Sequence, residues 1–306
     1  MKGIELSKKY WLEVGRPAFE RTCPELLNRA AVGLVGEGSE CFGFDDEISR
    51  DHDWGPGFCL WLSHEDMERS GAEAGRIYAS LPGEFLGYRR LRTDELSAGR
   101  VGVLGIWDFY SRFIGLRRLP ESIMDWRIMP ENGLATATNG EVFSDPVGEF
   151  SRIRNTLLGF YPQQLARKKL SARCAVAAQA GQYNHPRCLK RGDSAAAAMA
   201  AAEFMSKAQG AIFLLYGKYK PYYKWSTKAL MGLGPMGEEA GELMQRAAGH
   251  MSSCVPEIEE ISALIITELR KRGLSGSQSD FLLDHAREIQ EGITDQMLKK
   301  VHLMSE

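Results

Sequence analysis

The chain has 306 residues, of which 44% are hydrophobic and 25% charged, and its formal net charge is −2. This balance is typical of a soluble globular protein and leaves room for one large domain or two ordinary ones. It provides no bulk positive field for nucleic acid, and no stretch approaches the roughly 18 consecutive apolar residues of a membrane helix. The first residues, MKGIELSKKYWLEVGRP, lack the apolar core of a secretory signal, so we expect a cytoplasmic protein.

The first half of the chain alternates between helical and strand patterns. Apolar runs bounded by glycine or polar residues predict buried strands, and Ser63 opens a capping box that predicts a helix. The predicted helices are 5–31 (interrupted by prolines), 63–81 and 107–115. The predicted strands are 30–35, 58–62 and 101–106, with a further extended segment within 138–145.

The second half is helical by pattern. After about residue 151, helical periodicity, alanine and long charged residues dominate. The helical runs are 155–181, 193–219, 237–249, 256–272 and 277–303. We therefore predict an α+β protein, with a small mixed-sheet domain over residues 1–150 followed by an all-helical bundle domain over residues 151–306.

Two aspartates in the first half are candidates for metal binding. Asp51 and Asp53 are two residues apart, so in a strand both carboxylates would project from one face. Adjacent carboxylates repel each other unless a cation lies between them, and hard oxygen ligands favour magnesium. Phosphoryl and nucleotidyl transfer need such a metal site. An isolated pair of this kind more often lies in a turn or a solvated loop.

A glycine-rich segment precedes the aspartates. Gly36 to Ser39, here called the glycine loop, follows an apolar strand candidate and precedes residues able to begin a helix. Backbone N–H groups at such a junction, together with the Ser39 hydroxyl, can hold the terminal phosphates of a nucleotide. The segment is not a Walker loop, and Cys41 occupies the third glycine position of a dinucleotide fingerprint. On its own it would be a tight turn.

The combination is more specific. Gly38-Ser39, an eleven-residue gap and Asp51-x-Asp53 resemble the signature of polymerase-beta-like nucleotidyltransferases. The chain is also similar to a bacterial nucleotidyltransferase-like family with a domain of unknown function, and more distantly to aminoglycoside adenylyltransferases. The segments that carry this resemblance are 36–56, 120–126, 140–145, 161–162, 181–183 and 222–225. It implies a nucleotidyltransferase fold followed by a helical domain, without a known substrate.

Enzymes of that superfamily usually carry a third carboxylate on a neighbouring strand, where it helps to bind metal and activates the acceptor hydroxyl. Gly102 stands where this resemblance places the acid. Asp145 is the first substitute, although a cap aspartate before a helix is the simpler interpretation. Asp108 is the second, with the alternative of an acidic residue at a helix N-terminus. The base therefore comes from elsewhere, or the enzyme is slow, or the site binds nucleotide without transfer.

Basic residues in the second half are candidates for phosphate contacts. Lys224 lies in an aromatic and basic segment, residues 218–225, that could close a nucleotide cleft, stack on single-stranded nucleic acid, or pack a helix corner. Arg187 and Arg191 flank a predicted helix junction and could face phosphate, although surface ion pairs are the simpler interpretation.

These features predict a magnesium- or manganese-dependent nucleotidyltransferase. It would move a nucleoside monophosphate from a nucleoside triphosphate, expected to be ATP, to a hydroxyl of a small-molecule or macromolecular acceptor. Gly38 and Ser39 would position the triphosphate, and Asp51 and Asp53 the metal. The alternative is a nucleotide-binding or regulatory module that has lost its base, for which Gly102 is the main argument. Nucleic-acid binding is a weaker third alternative, and no membrane partner is expected.

Overall fold

The computed structural model describes residues 1–50, 54–91 and 99–306. The strands are β1 (Ala31–Leu34), β2 (Cys59–Leu62), β3 (Glu84–Phe85), β4 (Tyr88–Arg89), β5 (Gly102–Gly105) and β6 (Glu141–Ser144). The helices of the first 160 residues are α1 (Gly3–Tyr10), α2 (Arg16–Thr22), α3 (His64–Ser80), α4 (Ile106–Ile114), α5 (Ile123–Ile128), α6 (Glu131–Ala137) and α7 (Glu149–Leu158). A π-helical turn, Trp11–Gly15, joins α1 to α2.

The remaining helices are α8 (Gln163–Ala177), α9 (His185–Lys190), α10 (Ser194–Leu215), α11 (Tyr223–Met231), α12 (Pro235–Ala248), α13 (Val255–Lys271), α14 (Leu282–Glu291) and α15 (Gln296–Lys300). The chain divides into two compact units. The first unit contains Met1–Glu121 and Met129–Gly159, and the second contains Ser122–Ile128 and Phe160–Glu306.

The first unit is built on a mixed sheet. Among the described residues this sheet has four strands in the order β5-β2-β1-β6. β1 runs antiparallel to both β2 and β6, and β5 runs parallel to β2. β1 and β2 are buried along their whole length, which explains their continuous apolar sequences.

Helices cover both faces of this sheet. Phe58 and Leu60 pack on one face with Tyr10 and Phe19 from the N-terminal helices. On the other face, Trp61 stacks on Phe150 of α7 with the ring centroids 3.9 Å apart. An aromatic pair of this kind contributes about 0.5–1.5 kcal/mol beyond the area it buries.

The second unit is helical. α8 packs against α10 and α14, and α13 packs against α10. α8 is buried on nearly all sides, and its buried residues include the charged side chains Lys168, Lys169 and Arg173. The prediction of an α+β protein with a small mixed sheet and a helical second half is confirmed. None of the helices formed by the described residues has the length and apolar character needed to cross a bilayer.

The strand register decides which loops meet. Gly33 on β1 lies opposite Cys59, the first residue of β2, and Cys59 lies opposite Gly102, the first residue of β5. Leu34 lies opposite Glu141, the first residue of β6. The end of β1 and the starts of the other three strands therefore share one end of the sheet, here called the loop end.

Candidate functional site

The glycine loop leaves β1 at the loop end of the sheet. Both Gly36 and Gly38 have a φ of 125°, in the left-handed region where other side chains are strained. A Cβ on Gly38 would also lie 2.4 Å from Nη2 of Arg100. The left-handed backbone, together with the close approach of Arg100, therefore favours glycine at position 38.

Asn139 fixes the start of the glycine loop with two hydrogen bonds. Its Oδ1 accepts from the N–H of Gly36 at 2.9 Å, and its Nδ2 donates to the carbonyl of Gly36 at 2.8 Å. The N–H of Gly140 donates to the Cys41 carbonyl at 2.8 Å. Arg154 supports this contact by donating to the Asn139 carbonyl at 3.1 Å. The loop is thus held in one conformation, which a backbone cradle for phosphate needs.

One turn, not a continuing helix, follows Ser39. The N–H of Phe44 donates to the Ser39 carbonyl at 2.8 Å, and the N–H of Gly43 donates to the Glu40 carbonyl at 3.1 Å. Gly43 has a φ of 72°. These two bonds form a Schellman motif, which ends a helix at its glycine. Because the turn is so short, it offers no helix dipole, and an anion at this point would have only the loop's own N–H groups and nearby cations.

Two arginines hold the glycine loop. Arg100 Nε donates to the Glu37 carbonyl at 3.1 Å, and Nη2 donates to Glu40 Oε1 at 2.6 Å. Arg112 of α4 donates through Nη2 to Glu37 Oε2. Guanidinium groups match phosphate oxygens in geometry as well as charge. The loop therefore has two cations beside its backbone.

The Arg100–Glu40 pair is buried. The two side chains are 9% and 5% exposed, and no described residue donates a hydrogen bond to Glu40 Oε2. Burial raises the pKa of the Glu40 carboxyl, and the opposing effect of Arg100 does not cancel the increase. A buried carboxylate with one unpaired oxygen lowers the stability of the fold. Glu40 therefore needs the positive charge of Arg100 beside it.

Asp51 and Asp53 lie outside the described residues, but their flanking residues are described. The Cζ atom of Arg50 lies 5.3 Å from the centroid of the Trp54 ring. Trp54 Nε1 donates to Asp45 Oδ2 at 3.2 Å, and the same oxygen accepts from the N–H of Gly3 at 2.8 Å. These contacts anchor the chain on both sides of the predicted metal ligands.

The strand predicted over residues 58–62 is observed as β2. Trp54 to Phe58 form a bend through Gly55 and Pro56, and β2 starts only at Cys59. Proline has no N–H for a strand ladder, which accounts for the late start. The expectation that Asp51 and Asp53 share one face of a strand falls outside the described residues. β2 nevertheless begins at the loop end of the sheet, six residues after Asp53.

Gly102 begins β5 at the loop end, beside the start of β2. Its φ is 115°, and the nearest atom to an added Cβ would be Cε1 of Tyr78, at 3.8 Å. An acidic side chain would therefore have space at this position but would strain the backbone by roughly 1–3 kcal/mol. Neither the residue type nor the backbone conformation at position 102 suits a catalytic acid.

Both substitutes for the missing acid lie at the opposite end of the sheet. Asp145 follows the last residue of β6, and its carboxylate oxygens accept from the N–H groups of Gly148 at 3.0 Å and Ser151 at 2.7 Å. Asp145 thus accepts hydrogen bonds from N–H groups at the start of α7, whose N-cap residue is Gly148. Asp108 lies in the first turn of α4 beyond β5, and its Oδ1 accepts from Arg117 Nη2 at 2.6 Å. The sheet therefore does not place either aspartate beside the glycine loop.

The basic candidates of the second half lie in the second unit. Lys224, in the first turn of α11, is exposed, with Nζ 5.1 Å from the Trp225 ring centroid. Arg187, on α9, is exposed and has Cζ 4.9 Å from the Tyr183 ring centroid. Arg191 is exposed at the end of α9. Their predicted contacts with phosphate stay predictions.

Sequence reasoning missed Glu40 and Arg100. They are 60 residues apart in the chain, and only the sheet register brings them together. Glu40 directly follows Ser39 in the segment 36–56. An acidic residue within an otherwise apolar and glycine-rich segment was the available signal, because such a residue needs a partner when buried.

Within residues 1–50, 54–91 and 99–306, no group of three or more His, Cys, Asp or Glu side chains is arranged to hold a metal ion. The carboxylates of Glu37 and Glu40 at the glycine loop are paired with arginines. A metal at the loop end would therefore depend on Asp51 and Asp53.

Residues 126–226, from α5 to the first half of α11, match the model of a family described as a domain of unknown function, DUF4037. No curated protein is similar enough to this chain to count as a relative. The likeness to aminoglycoside adenylyltransferases stays a prediction.

Among solved structures, the chain is similar to the crystal structure of a nucleotidyltransferase-like protein from Exiguobacterium sibiricum 255-15. The sequence identity is 11%, the match covers 85% of this chain and 77% of that chain, and the TM-score is 0.37. A similarity of this level identifies neither the family nor the activity. The family match covers about a third of the chain and leaves the glycine loop outside it.

Proposed function

We propose that the protein transfers a nucleoside monophosphate from a nucleoside triphosphate, with ATP as the expected donor, to a hydroxyl of a small-molecule or macromolecular acceptor. The observation that carries this proposal is the strand register. It brings the glycine loop and the starts of β2 and β5 to one end of the sheet. β2 follows Asp51 and Asp53 in the chain, so the phosphate cradle and the candidate metal ligands belong to neighbouring connections.

The glycine loop would bind the triphosphate. The N–H groups around Gly38 and the hydroxyl of Ser39 are its donors; Ser39 is half-buried, and its hydroxyl forms no hydrogen bond with any described residue. Arg112, whose side chain is one-third exposed, can turn from Glu37 toward a phosphate oxygen. Arg100 would act as a positioning residue, because its contacts with Glu37 and Glu40 fix the loop.

Asp51 and Asp53 would hold magnesium or manganese. When bound, the metal would neutralise charge on the phosphate oxygens during transfer. The chain itself must orient the phosphates, exclude competing water and accept the proton of the acceptor hydroxyl. At the loop end, main-chain N–H groups and guanidinium groups would orient the phosphates. The proton acceptor is the role for which the described residues offer no obvious group.

A second candidate function follows from this gap. A nucleotide-binding or regulatory module would keep the glycine loop and the metal ligands but would not transfer the nucleotide. The observation in its favour is Gly102, whose φ of 115° disfavours an acid at the expected place. Asp145 and Asp108 do not fill the role within the sheet, because they follow the far ends of β6 and β5.

Transfer of label separates the two candidates. The protein would be incubated with magnesium, cell extract and each of the four nucleoside triphosphates labelled at the α-phosphate. We expect label from ATP to become attached to an acceptor, and we expect Asp51→Asn and Asp53→Asn to abolish this attachment. Asp108→Asn is the matched control, because Asp108 is an exposed carboxylate at the other end of the sheet. Label attached equally by all four proteins would refute transfer at this site.

If the wild-type protein attaches no label but binds nucleotide with magnesium, the binding module is the correct alternative. If it does neither, both candidates fail.

A further inference from the structure

The connection from α10 to α11 is rich in positive charge. The stretch from residue 204 to residue 237 contains five lysines and no aspartate or glutamate, in a chain whose formal net charge is −2. Within it, residues 218–225 combine three of these lysines with three tyrosines and a tryptophan. A local concentration of basic and aromatic side chains can bind an anionic partner even where the charge of the whole chain is close to zero.

Part of this segment packs the corner between the two helices. Tyr219 is 9% exposed, and its ring centroid lies 4.9 Å from that of Phe160 and 5.1 Å from that of Tyr161. Lys220 donates from Nζ to the Ser206 carbonyl of α10 at 2.8 Å. These contacts attach the segment to the second unit, so Tyr219 and Lys220 account for the packing role of the corner.

The next two tyrosines face solvent instead. Tyr222 is 49% exposed and Tyr223 is 75% exposed, and their ring centroids are 4.3 Å apart. The Ser226 hydroxyl donates to the Tyr223 carbonyl at 2.9 Å, which fixes the main chain that carries the rings. Single exposed rings are ordinary on a protein surface, whereas adjacent rings form an apolar patch of the kind that marks a contact site.

Lysines flank this pair of rings in the chain. Lys218 precedes them and Lys224 follows them, and both side chains are exposed. In the part of the chain that the structure describes, neither lysine forms an ion pair. Lys224 Nζ lies 5.1 Å from the Trp225 ring centroid, so this ammonium group stays beside the aromatic side chains. Lys218, Tyr222, Tyr223 and Lys224 are here called the aromatic patch.

The composition of the aromatic patch fits one class of ligand. Every nucleic-acid base has a flat face that stacks on an aromatic ring, and the backbone of a strand carries a phosphate at each nucleotide for a lysine to contact. A duplex keeps its base faces inside its own stack, where these rings cannot reach them. A single nucleotide would use one ring and one ammonium group, whereas the patch has two of each.

We propose that the aromatic patch binds single-stranded nucleic acid, RNA or DNA, with little preference for base sequence. Unpaired bases stack on Tyr222 and Tyr223, and the ammonium groups of Lys218 and Lys224 contact phosphates of the same strand. The site lies wholly within the second unit. It needs neither the glycine loop nor a metal, and it goes beyond the proposed nucleotidyl transfer.

Fluorescence anisotropy tests this proposal. A fluorescein-labelled oligouridylate, an oligothymidylate and a duplex of equal length would each be titrated with the protein in EDTA. We expect one or both single strands to bind more tightly than the duplex, and the stronger of the two shows whether RNA or DNA is preferred. Tyr223→Ala should weaken this binding at least about fivefold, since stacking contributes about 1–3 kcal/mol per base. No binding of either strand, or equal binding of the duplex, would overturn the proposal.

The dependence on salt separates the rings from the lysines. Lys224→Gln should reduce the slope of log affinity against log salt concentration by roughly 0.7, because one phosphate contact is lost. Tyr223→Ala should weaken binding without changing this slope. The matched controls are Tyr183→Ala and Lys300→Gln, since Tyr183 is 50% exposed and Lys300 is exposed in the same unit. Equal effects in the patch variants and the control variants would contradict the proposal.

A crosslinking experiment needs no variant. An oligouridylate that carries 5-iodouracil becomes joined to adjacent aromatic side chains on irradiation, and we expect the crosslinked peptide of the wild-type protein to contain Tyr222 and Tyr223. Crosslinks confined to other peptides, or none at all, would overturn the proposal. The absence of metal and nucleoside triphosphate from all these experiments separates their failure from a failure of the proposed transfer activity.

Discussion

Replacing Arg100 with methionine should reveal how the glycine loop is held. The change removes the guanidinium that is 2.6 Å from Glu40 Oε1 and leaves a carboxylate that is 5% exposed. Breaking a buried ion pair from one side costs about 3–5 kcal/mol. The contact of Arg100 with the Glu37 carbonyl is lost as well. We expect the free energy of unfolding to fall by about this amount at pH 7.

The cost should depend on pH. The pKa of Glu40 is already raised by burial in the wild-type protein, and loss of Arg100 raises it further. The folded variant then binds a proton at a pH where the unfolded chain has released it, so stability declines as the pH rises above the unfolded pKa. The destabilisation by Arg100→Met should therefore be smaller at pH 5 than at pH 7.

Urea denaturation followed by far-UV circular dichroism measures these effects. The double variant Arg100→Met, Glu40→Gln should recover much of the loss, because no charge remains to be buried. Arg246→Met is the matched control, since it breaks an exposed pair with Glu260 and should change stability by less than about 0.5 kcal/mol. A loss below about 1 kcal/mol in the single variant, or an equal loss in the double variant, would refute the reasoning.

Three other predictions concern single positions. Gly38→Ala should weaken nucleotide binding and destabilise the protein by about 1–3 kcal/mol, because the backbone is left-handed and the methyl group meets Arg100; calorimetry and urea denaturation test both effects. Asp145→Ala should cost about 1 kcal/mol, because the N–H groups of Gly148 and Ser151 at the start of α7 lose their acceptor, and should leave nucleotide affinity unchanged; a large loss of affinity would instead place Asp145 in the site. Glu306→Gln should be less stable than the wild type at pH 7, because Arg173 and Lys169 lie 2.9 and 3.1 Å from the carboxylate oxygens of Glu306. Because the folded pKa of Glu306 is about 2, this difference should shrink as the pH falls from about 4.5 toward 2, and a constant difference would contradict the assigned ion pairs.

The apolar patterns predicted the framework of the first unit well. The runs at 30–35, 58–62 and 101–106 became β1, β2 and β5, and the capping box at Ser63 opens α3, where the Asp66 N–H donates to Ser63 Oγ at 3.1 Å. These elements follow from local signals: short apolar runs on a sheet and a serine that accepts from a free helix N–H.

Short elements were not predicted. α5 and α6 are short helices next to prolines, and the β3–β4 hairpin has only two residues in each strand. These elements are too short for a helical or a strand periodicity of apolar residues to be recognised. The turn after Ser39 was a different kind of omission. Gly43 is a local signal for the end of a helix. Because it lies so close to Ser39 in the chain, only one helical turn fits between the two residues.

The sites were only partly predictable, because they depend on contacts between distant residues. The glycine loop follows from local sequence, but its arginine partners are fixed by the strand register. Lys168, Lys169 and Arg173 belong to a run that the sequence describes as helical with long charged side chains. Their burial could not be inferred, because it requires α8 to be enclosed by α5, α10 and α14.

Nucleotide binding in the presence and absence of metal tests the central claim most directly. ATP would be titrated with magnesium, and again in EDTA, into the wild-type protein and into Asp51→Asn, Asp53→Asn and Asp108→Asn. A nucleotide site at the loop end predicts that magnesium tightens binding to the wild type and to Asp108→Asn, and that this gain is lost in the other two variants. Metal-dependent affinity that is the same in all four proteins would contradict it.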